Sequence, residues 1–359
     1  IYDRLFIFNL HNINLIKHLI INTKGKWKKA MRAEQKRAFA PEFESDVLDE
    51  MSLVDNIITE SIDDKIPLVM DLSRYILEAG RKRIRPLLVL LTARGMGYSG
   101  KNHQKLAAVL EMIHTATLLH DDVVDDSKMR RGKPSANVVW GNEASVLVGD
   151  YLYSRAFQLM VEIENHRVLQ IMADTTNTLA IGEVMQLVNK NNFSVTEELY
   201  FRTIDNKTGK LFETAAALGG VSASCTMIEE RVLKKFGRHL GLCFQLVDDA
   251  LDYSSSQNQL GKNIGDDLTE GKPTLPLMYA MWHGKQSEQS LIKNAIEKGK
   301  ASYFNEIIQA VKNSGGIEYT LEQAKKQMLE AQKCLCDLPK TIYRNDLEYL
   351  LKFALLRKH

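Results

Sequence analysis

Apolar residues recur at three- and four-residue steps through most of the chain. The rhythm is plain in LVDNIITESIDDKIPLVMDLSRYIL, EASVLVGDYLYSRAFQLMVEI, LYFRTIDNKTGKLFETAAALGG and ERVLKKFGRHLGLCFQLVDDALDY. Such spacing puts the apolar side chains on one stripe of an α-helix, whereas a half-buried strand would alternate at every second position. No run of alternating β-branched residues competes with it. The predicted fold is an all-α bundle of antiparallel helices. Seven prolines and 21 glycines punctuate the pattern, and they predict turns at 97–100, 131–134, 219–220, 261–273 and 315–316. None is long or low in complexity, and no repeat with a period of about 20 to 50 residues is present. Residues 41–359 therefore read as one domain.

Two interruptions of the apolar pattern carry the chemistry. Asp121, Asp122 and Asp125 stand in HDDVVDD directly after EMIHTATLL, and Asp248, Asp249 and Asp252 stand in VDDALD directly after HLGLCFQL. Both clusters read D-D-x-x-D, so on a helix Asp121 lies beside Asp125, and Asp248 beside Asp252. An isolated cluster of this kind is commonly a solvated acidic face; two copies with apolar flanks argue for a site. Carboxylates in apolar surroundings need cations to hold them there. Two such faces looking at each other form an oxygen cage, which favours a hard cation. Mg²⁺ is typically held by one or two carboxylates while waters and substrate phosphates complete its octahedron, so a bound diphosphate is implied.

Composition narrows the alternatives. With 359 residues, 45% of them hydrophobic, the chain can bury a large core. A net charge of +2 provides no global field for nucleic acid. Cys225, Cys243, Cys334 and Cys336 have neither zinc nor redox spacing, which predicts reduced thiols and a cytoplasmic protein. The longest apolar run, LLVLLTA at 87–93, is far short of the roughly 18 residues of a membrane span. Residues 1–40 are basic and apolar with few acids, and are read as a flexible N-terminal extension.

Basic residues fall where a diphosphate would want them. GRKRIRP at 80–86 sets four cations next to an apolar helix, and Arg130-Arg131 follows the first aspartate cluster. Arginine forks suit phosphate oxygens, and lysine adds a point charge. Together, GRKRIRP, HDDVVDDSKMRRGKPSANVVWGN, NKTGKLFE and FQLVDDALDYSSSQNQLGKNIGDDLTEGKPTLPL resemble the trans-polyprenyl diphosphate synthases, in that family's order and spacing. The resemblance runs from about residue 50 to the C-terminus and is strongest to bacterial long-chain enzymes of the octaprenyl type. It implies the isoprenoid synthase fold, a helix bundle around a central active-site cavity.

The resemblance also implies an activity: Mg²⁺-dependent condensation of isopentenyl diphosphate units onto farnesyl diphosphate, to a product of about C40 for a quinone side chain. Two to three Mg²⁺ ions per active site would be held by Asp121, Asp125, Asp248 and Asp252, with Asp122, Asp249 and Lys207 completing the catalytic set. Lys82, Arg85, His114 and Arg131 would hold isopentenyl diphosphate. Arg130, Lys207, Thr208, Gln245, Lys262 and Lys272 would contact the allylic diphosphate. His114 lies seven residues before Asp121, two helical turns away on nearly the same face. Gln245, Asp248, Asp249 and Asp252 follow the i, i+3, i+4, i+7 rule for a single face. No Ser-His-Asp or Cys-His arrangement is found, and the chemistry asks for none.

Chain length is set, by the same resemblance, just before the first aspartate motif, where Ala116 and Thr117 stand and neither can block a tunnel. Deeper down, Phe157, Met160 or Met172 would form its floor. Family members are generally homodimers, and the helix around 143–160 is the expected interface. The apolar product implies at most peripheral membrane contact. One departure is Arg81, which occupies the second glycine position of the family's lysine loop. The competing readings are a short-chain synthase making geranylgeranyl diphosphate, and a non-catalytic regulatory subunit of a heteromeric synthase.

Overall fold

The core is built from helices whose burial follows their apolar stripes. The computed structural model describes residues 43, 45–62, 65–79, 83–130, 132–192, 194–254, 266–298 and 304–356. In chain order its helices are α1 (Ser45–Ser61), α2 (Pro67–Ala79), α3 (Ile84–Gly95), α4 (Asn102–Val124), α5 (Ala136–Trp140), α6 (Asn142–Val161) and α7 (His166–Asn189). Then come α8 (Glu197–Ile204), α9 (Lys210–Ser222), α10 (Met227–Ser254), α11 (Asp266–Thr269) and α12 (Leu275–His283). The chain closes with α13 (Gln286–Lys298), α14 (Phe304–Ser314), α15 (Gly316–Cys336) and α16 (Ile342–Leu356). The all-α prediction holds. The expected extension at 1–40 lies outside the described residues, as do Arg81, Lys82, Arg131 and Lys262.

Helix α3 is apolar all round, so it is buried all round. Residues 86–93 are buried in full, and α3 is enclosed by α1, α4, α9 and α16. Each fully buried leucine there contributes about 2 kcal/mol relative to exposure. Pro86 sits in the first turn, where its missing N–H breaks no helical hydrogen bond. Around this axis, α4 packs on α6, α9 on α10, and the long α10 on α15. Helix starts follow local chemistry: the Asn165 side chain accepts hydrogen bonds from the Arg167 and Val168 amides, and Thr196 accepts one from Leu199.

One local expectation fails for a tertiary reason. Gly219-Gly220 reads as a turn, yet both residues lie inside α9. A Cβ on Gly219 would stand 2.6 Å from the Val89 carbonyl oxygen and 2.7 Å from the Ala93 nitrogen, so glycine is needed for α9 to lie against α3. The expected turn at 131–134 is closed by a two-residue antiparallel ladder, β1 (Met129–Arg130) with β2 (Lys133–Pro134). This ladder hangs from the end of α4 and brings Arg130 back over the aspartates.

Between α8 and α9 the helix widens into a π turn, Asp205–Gly209. It presses against α7 at Gly182, where a Cβ would lie 2.8 Å from the Lys207 amide nitrogen. The aspartate motifs occupy the C-terminal ends of α4 and α10. Helix C-termini carry partial negative charge, so carboxylates there are disfavoured unless cations meet them.

Candidate active site

A cavity of about 190 Å³ opens between these two helix ends, and both motifs contribute to its wall through Asp121, Asp125, Asp248 and Asp249. Asp248 is exposed into it, whereas Asp249 is buried at its edge and Asp252 is buried outside the lining. Asp122, fully buried, faces away and receives hydrogen bonds from Nε and Nη2 of Arg130 at 2.5 to 2.9 Å. Within each motif the helix therefore separates roles that sequence spacing leaves equivalent.

Lysines meet the carboxylates of the cavity wall. Lys207 Nζ stands 3.2 Å from Asp121 and 2.6 Å from Glu183, and Lys272 Nζ donates to Asp125 at 2.7 Å and to Glu270 at 2.5 Å. Burial opposes ionisation of Asp125, but Lys272, with Lys207 and Lys190, outweighs it and holds the carboxyl below the usual range. Burial and the Asp121 charge push Glu183 up to about 7. Burial and the Asp267 charge push Asp249 up to about 8, against hydrogen bonds from Tyr200 and Gln245.

Both raised carboxyls bind protons in the fold at pH values where the unfolded chain has released them, near 4. Stability of the metal-free protein should therefore fall as pH rises from about 5 to 8. Thermal melts in EDTA across that window would show it as a Tm lower by several degrees at pH 8; Glu183→Gln should flatten the slope, and a level profile would contradict these environments.

The second motif connects to the π turn through hydrogen bonds. The Thr208 hydroxyl donates to Gln245 Oε1 at 2.8 Å, Gln245 Nε2 donates to Asp249 at 2.7 Å, and Tyr200 donates to Asp249 at 2.5 Å. The segment carrying Lys272 is tied across the cavity by Ser127 donating to Glu270 and by the Asn191 amide donating to the Gly271 carbonyl. On α3, Arg85 Nη1 stands 2.9 Å from His114 Nε2, with its guanidinium over the Phe212 ring at 4.7 Å. Arg83, in left-handed backbone geometry, is buried between Glu111 at 2.6 Å and Asp55 at 3.4 Å.

Among the described residues no three carboxylates converge closely enough to form a ready-made cation cage. The expected cage is thus a divided one, with acidic groups and lysines alternating around an open space. An oxygen-only donor set with one or two carboxylates per side suits Mg²⁺ bridged to a diphosphate, where phosphate oxygens supply the remaining positions.

The description "Polyprenyl synthetase" belongs to the family model that matches residues 66–312. The chain belongs to the polyprenyl synthetase family. Over 309 residues it is 47% identical to octaprenyl diphosphate synthase of Escherichia coli (strain K12), covering 86% of this chain and 96% of that enzyme. It is 43% identical over 323 residues to the all-trans-nonaprenyl-diphosphate synthase (geranyl-diphosphate specific) of Rhodobacter capsulatus, covering 89% and 99%. The crystal structure of a polyprenyl synthase from Caulobacter crescentus CB15, complexed with calcium and isoprenyl diphosphate, superposes with a TM-score of 0.85. Its sequence identity is 38%, with 91% of this chain and 98% of that one covered. The polyprenyl synthetase described here is a prenyltransferase with the isoprenoid synthase fold.

Several groups in this polyprenyl synthetase cavity escape sequence reading. Glu183, Gln186 and Lys190 sit at i, i+3 and i+7 in GEVMQLVNK, with Asn189 beside them in the cavity lining, a polar stripe that could have been noticed. Tyr200 has no comparable signal, whereas Asp267 and Glu270 lie in the motif-like GDDLTEGKP, where nothing marks which acids line the cavity. The predicted chain-length residues lie in the core rather than the cavity wall: Ala116, Met160 and Met172 are fully buried, Phe157 is half-buried against Tyr153, and the Thr117 hydroxyl is bonded to the His114 carbonyl. Among the described residues no helix is long and apolar enough to cross a membrane.

Proposed function

We propose that this prenyltransferase extends farnesyl diphosphate with isopentenyl diphosphate, in the presence of two to three Mg²⁺ ions, to a polyprenyl diphosphate of about C40 for a quinone side chain. The observation that carries the reading is the alternation of Asp121, Lys207, Asp125 and Lys272 around a cavity whose other wall holds Asp248. That arrangement can hold a metal-bridged diphosphate and surround its oxygens with cations. The calcium and isoprenyl diphosphate in the Caulobacter crescentus complex support the same chemistry.

Asp121, Asp125 and Asp248 would hold Mg²⁺, which when bound stabilises charge developing on the leaving diphosphate, whereas Asp252, expected with them, is buried outside the cavity lining. Lys207 and Lys272 donate to its oxygens, while Arg130, kept rigid by Asp122, adds a fixed fork. Arg85, braced by His114 and Phe212, orients isopentenyl diphosphate, with Lys82 and Arg131 as the remaining contacts. As the allylic C–O bond breaks, the double bond of isopentenyl diphosphate forms the new C–C bond, and the proton lost goes to the released diphosphate. No side chain needs to act as a base.

A homodimer is supported by exposed apolar side chains on the predicted helix and its neighbour: Leu147 and Val161 on α6, with Val184, Leu187 and Val188 on α7, are each more than half exposed. A cytoplasmic setting with peripheral membrane contact follows from the apolar product and the free thiols.

Incubation of purified protein with farnesyl diphosphate, radiolabelled isopentenyl diphosphate and Mg²⁺, with and without EDTA, tests the reading. A metal-dependent ladder ending near C40 is expected, from a species that sediments as a dimer. No incorporation by folded protein, or a ladder indifferent to EDTA, would overturn it; a ladder stopping at about C20 would favour the short-chain alternative.

A further inference from the structure

Thr208 and Gln245 are assigned above to the allylic end of the cavity, and the following rests on that reading. Both are members of a closed chain of hydrogen bonds whose far end is Tyr200, a side chain 5% exposed at the cavity edge. Tyr200 on α8 donates to one oxygen of Asp249 at 2.5 Å, and the Gln245 amide donates to the other at 2.7 Å. Gln245 in turn accepts the Thr208 proton at 2.8 Å, eight residues beyond Tyr200 along the chain.

The direction of each bond matters. Once ionised, a carboxylate can only accept, so Asp249 in that form forces both neighbours to donate to it. With its NH₂ committed to Asp249, the Gln245 amide must turn its oxygen towards Thr208. That oxygen in turn claims the single hydroxyl proton of Thr208. A hydroxyl has one proton and two lone pairs, so Thr208 is left presenting lone pairs alone to the cavity. Lone pairs are what a site needs where positive charge develops on carbon as the allylic C–O bond breaks, and they act best when their orientation is fixed beforehand.

We propose that Tyr200 is a positioning residue for the condensation: its hydroxyl fixes Asp249, and through Gln245 sets the polarity of Thr208 at the allylic carbon. Tyr200 itself need not touch substrate. Without its hydroxyl, one oxygen of Asp249 loses its donor, the carboxylate is no longer held in rotation, and the amide of Gln245 is free to flip. Thr208 could then turn its proton to the cavity, where it would oppose the developing charge. A simple brace between α8 and α10 would use the same bonds, so the test must separate the two roles.

The experiment is steady-state kinetics of a single condensation, with melting temperatures, for Tyr200→Phe, Thr208→Val and the double variant. Tyr200→Phe retains the ring and should lower kcat by about tenfold while leaving KM for both diphosphates within about twofold, as expected for loss of an interaction made only in the transition state. Thr208→Val should lower kcat similarly. In the double variant the losses should not multiply, because both act on one group. Multiplying losses, or a rise in KM matching the fall in kcat, would show a brace only and overturn the proposal.

Unchanged kcat in Tyr200→Phe with a slow Thr208→Val would also overturn it, leaving the assignment of Thr208 intact. Normal rates in Thr208→Val would remove that assignment and the proposal with it. If Tyr200→Phe melts far below the wild type, Gln245→Met interrupts the same chain one link nearer the cavity, and an undiminished kcat there would be equally decisive.

Discussion

Replacing Asp121 or Asp248 with alanine should slow condensation by about 10³- to 10⁴-fold, the scale of several kcal/mol of lost charge stabilisation at the leaving diphosphate. Stability should hardly change. Asp248 is exposed to the cavity, and removing Asp121 still leaves Lys207 its closer partner Glu183 at 2.6 Å. Asp122→Ala offers the opposite signature. Its carboxylate is fully buried against the Arg130 guanidinium, and deleting one member of such a pair strands the other, at about 3–5 kcal/mol. Rates at fixed substrate, set beside melting curves for the three variants, would separate the roles. Undiminished turnover in both Asp121→Ala and Asp248→Ala would end the metal-diphosphate reading, whatever the melting curves show.

If the product is the proposed one of about C40, Ala116→Phe should truncate it to C15–C20. Ala116 lies five residues before Asp121, about 7.5 Å along α4 at 1.5 Å per residue. That is room for little more than the first isoprene units beyond the diphosphate. The side chain is fully buried in the core that includes Met160 and Met172, so a phenyl ring cannot be absorbed by solvent and must displace its packed neighbours. Overpacking of this kind costs about 1–3 kcal/mol, which a domain of this size should survive. Chromatography of the dephosphorylated products reads the outcome directly, and an unchanged ladder would move the length determinant elsewhere.

How much of this was legible in the sequence differs by scale. The bundle follows from the helical spacing of apolar residues, and α3 is foreseeable as a central helix because LLVLLTA leaves no polar face. The two aspartate motifs announce themselves because charge in apolar sequence is expensive. Which aspartate does what is another matter. Asp122 and Asp249 share their motifs with Asp121 and Asp248 of the cavity wall, and only the arrival of Arg130 from β1 and Tyr200 from α8 distinguishes them. Those partners are 8 and 49 residues away, beyond the reach of any local pattern. Glu183 was missed for a milder reason: its polar stripe on α7 was visible, but nothing in the chain says that α7 faces Lys207. Gly219-Gly220 was misread because local turn propensity yields to packing when another helix needs the space.

The π turn at Asp205–Gly209 has a consequence for how this site is inherited. Along an unbroken α-helix, residues 200 and 208 would be rotated about 80° from each other. The wider turn takes up part of that offset, since each of its residues advances the rotation less, and it lets Tyr200 and Thr208 reach the same pair of side chains on α10. The alignment is written in chain length and not in any single side chain. Substitutions away from Gly182, whose missing Cβ leaves room for the turn, keep that alignment, whereas loss of one residue from the turn would change the angular offset between Tyr200 and Thr208.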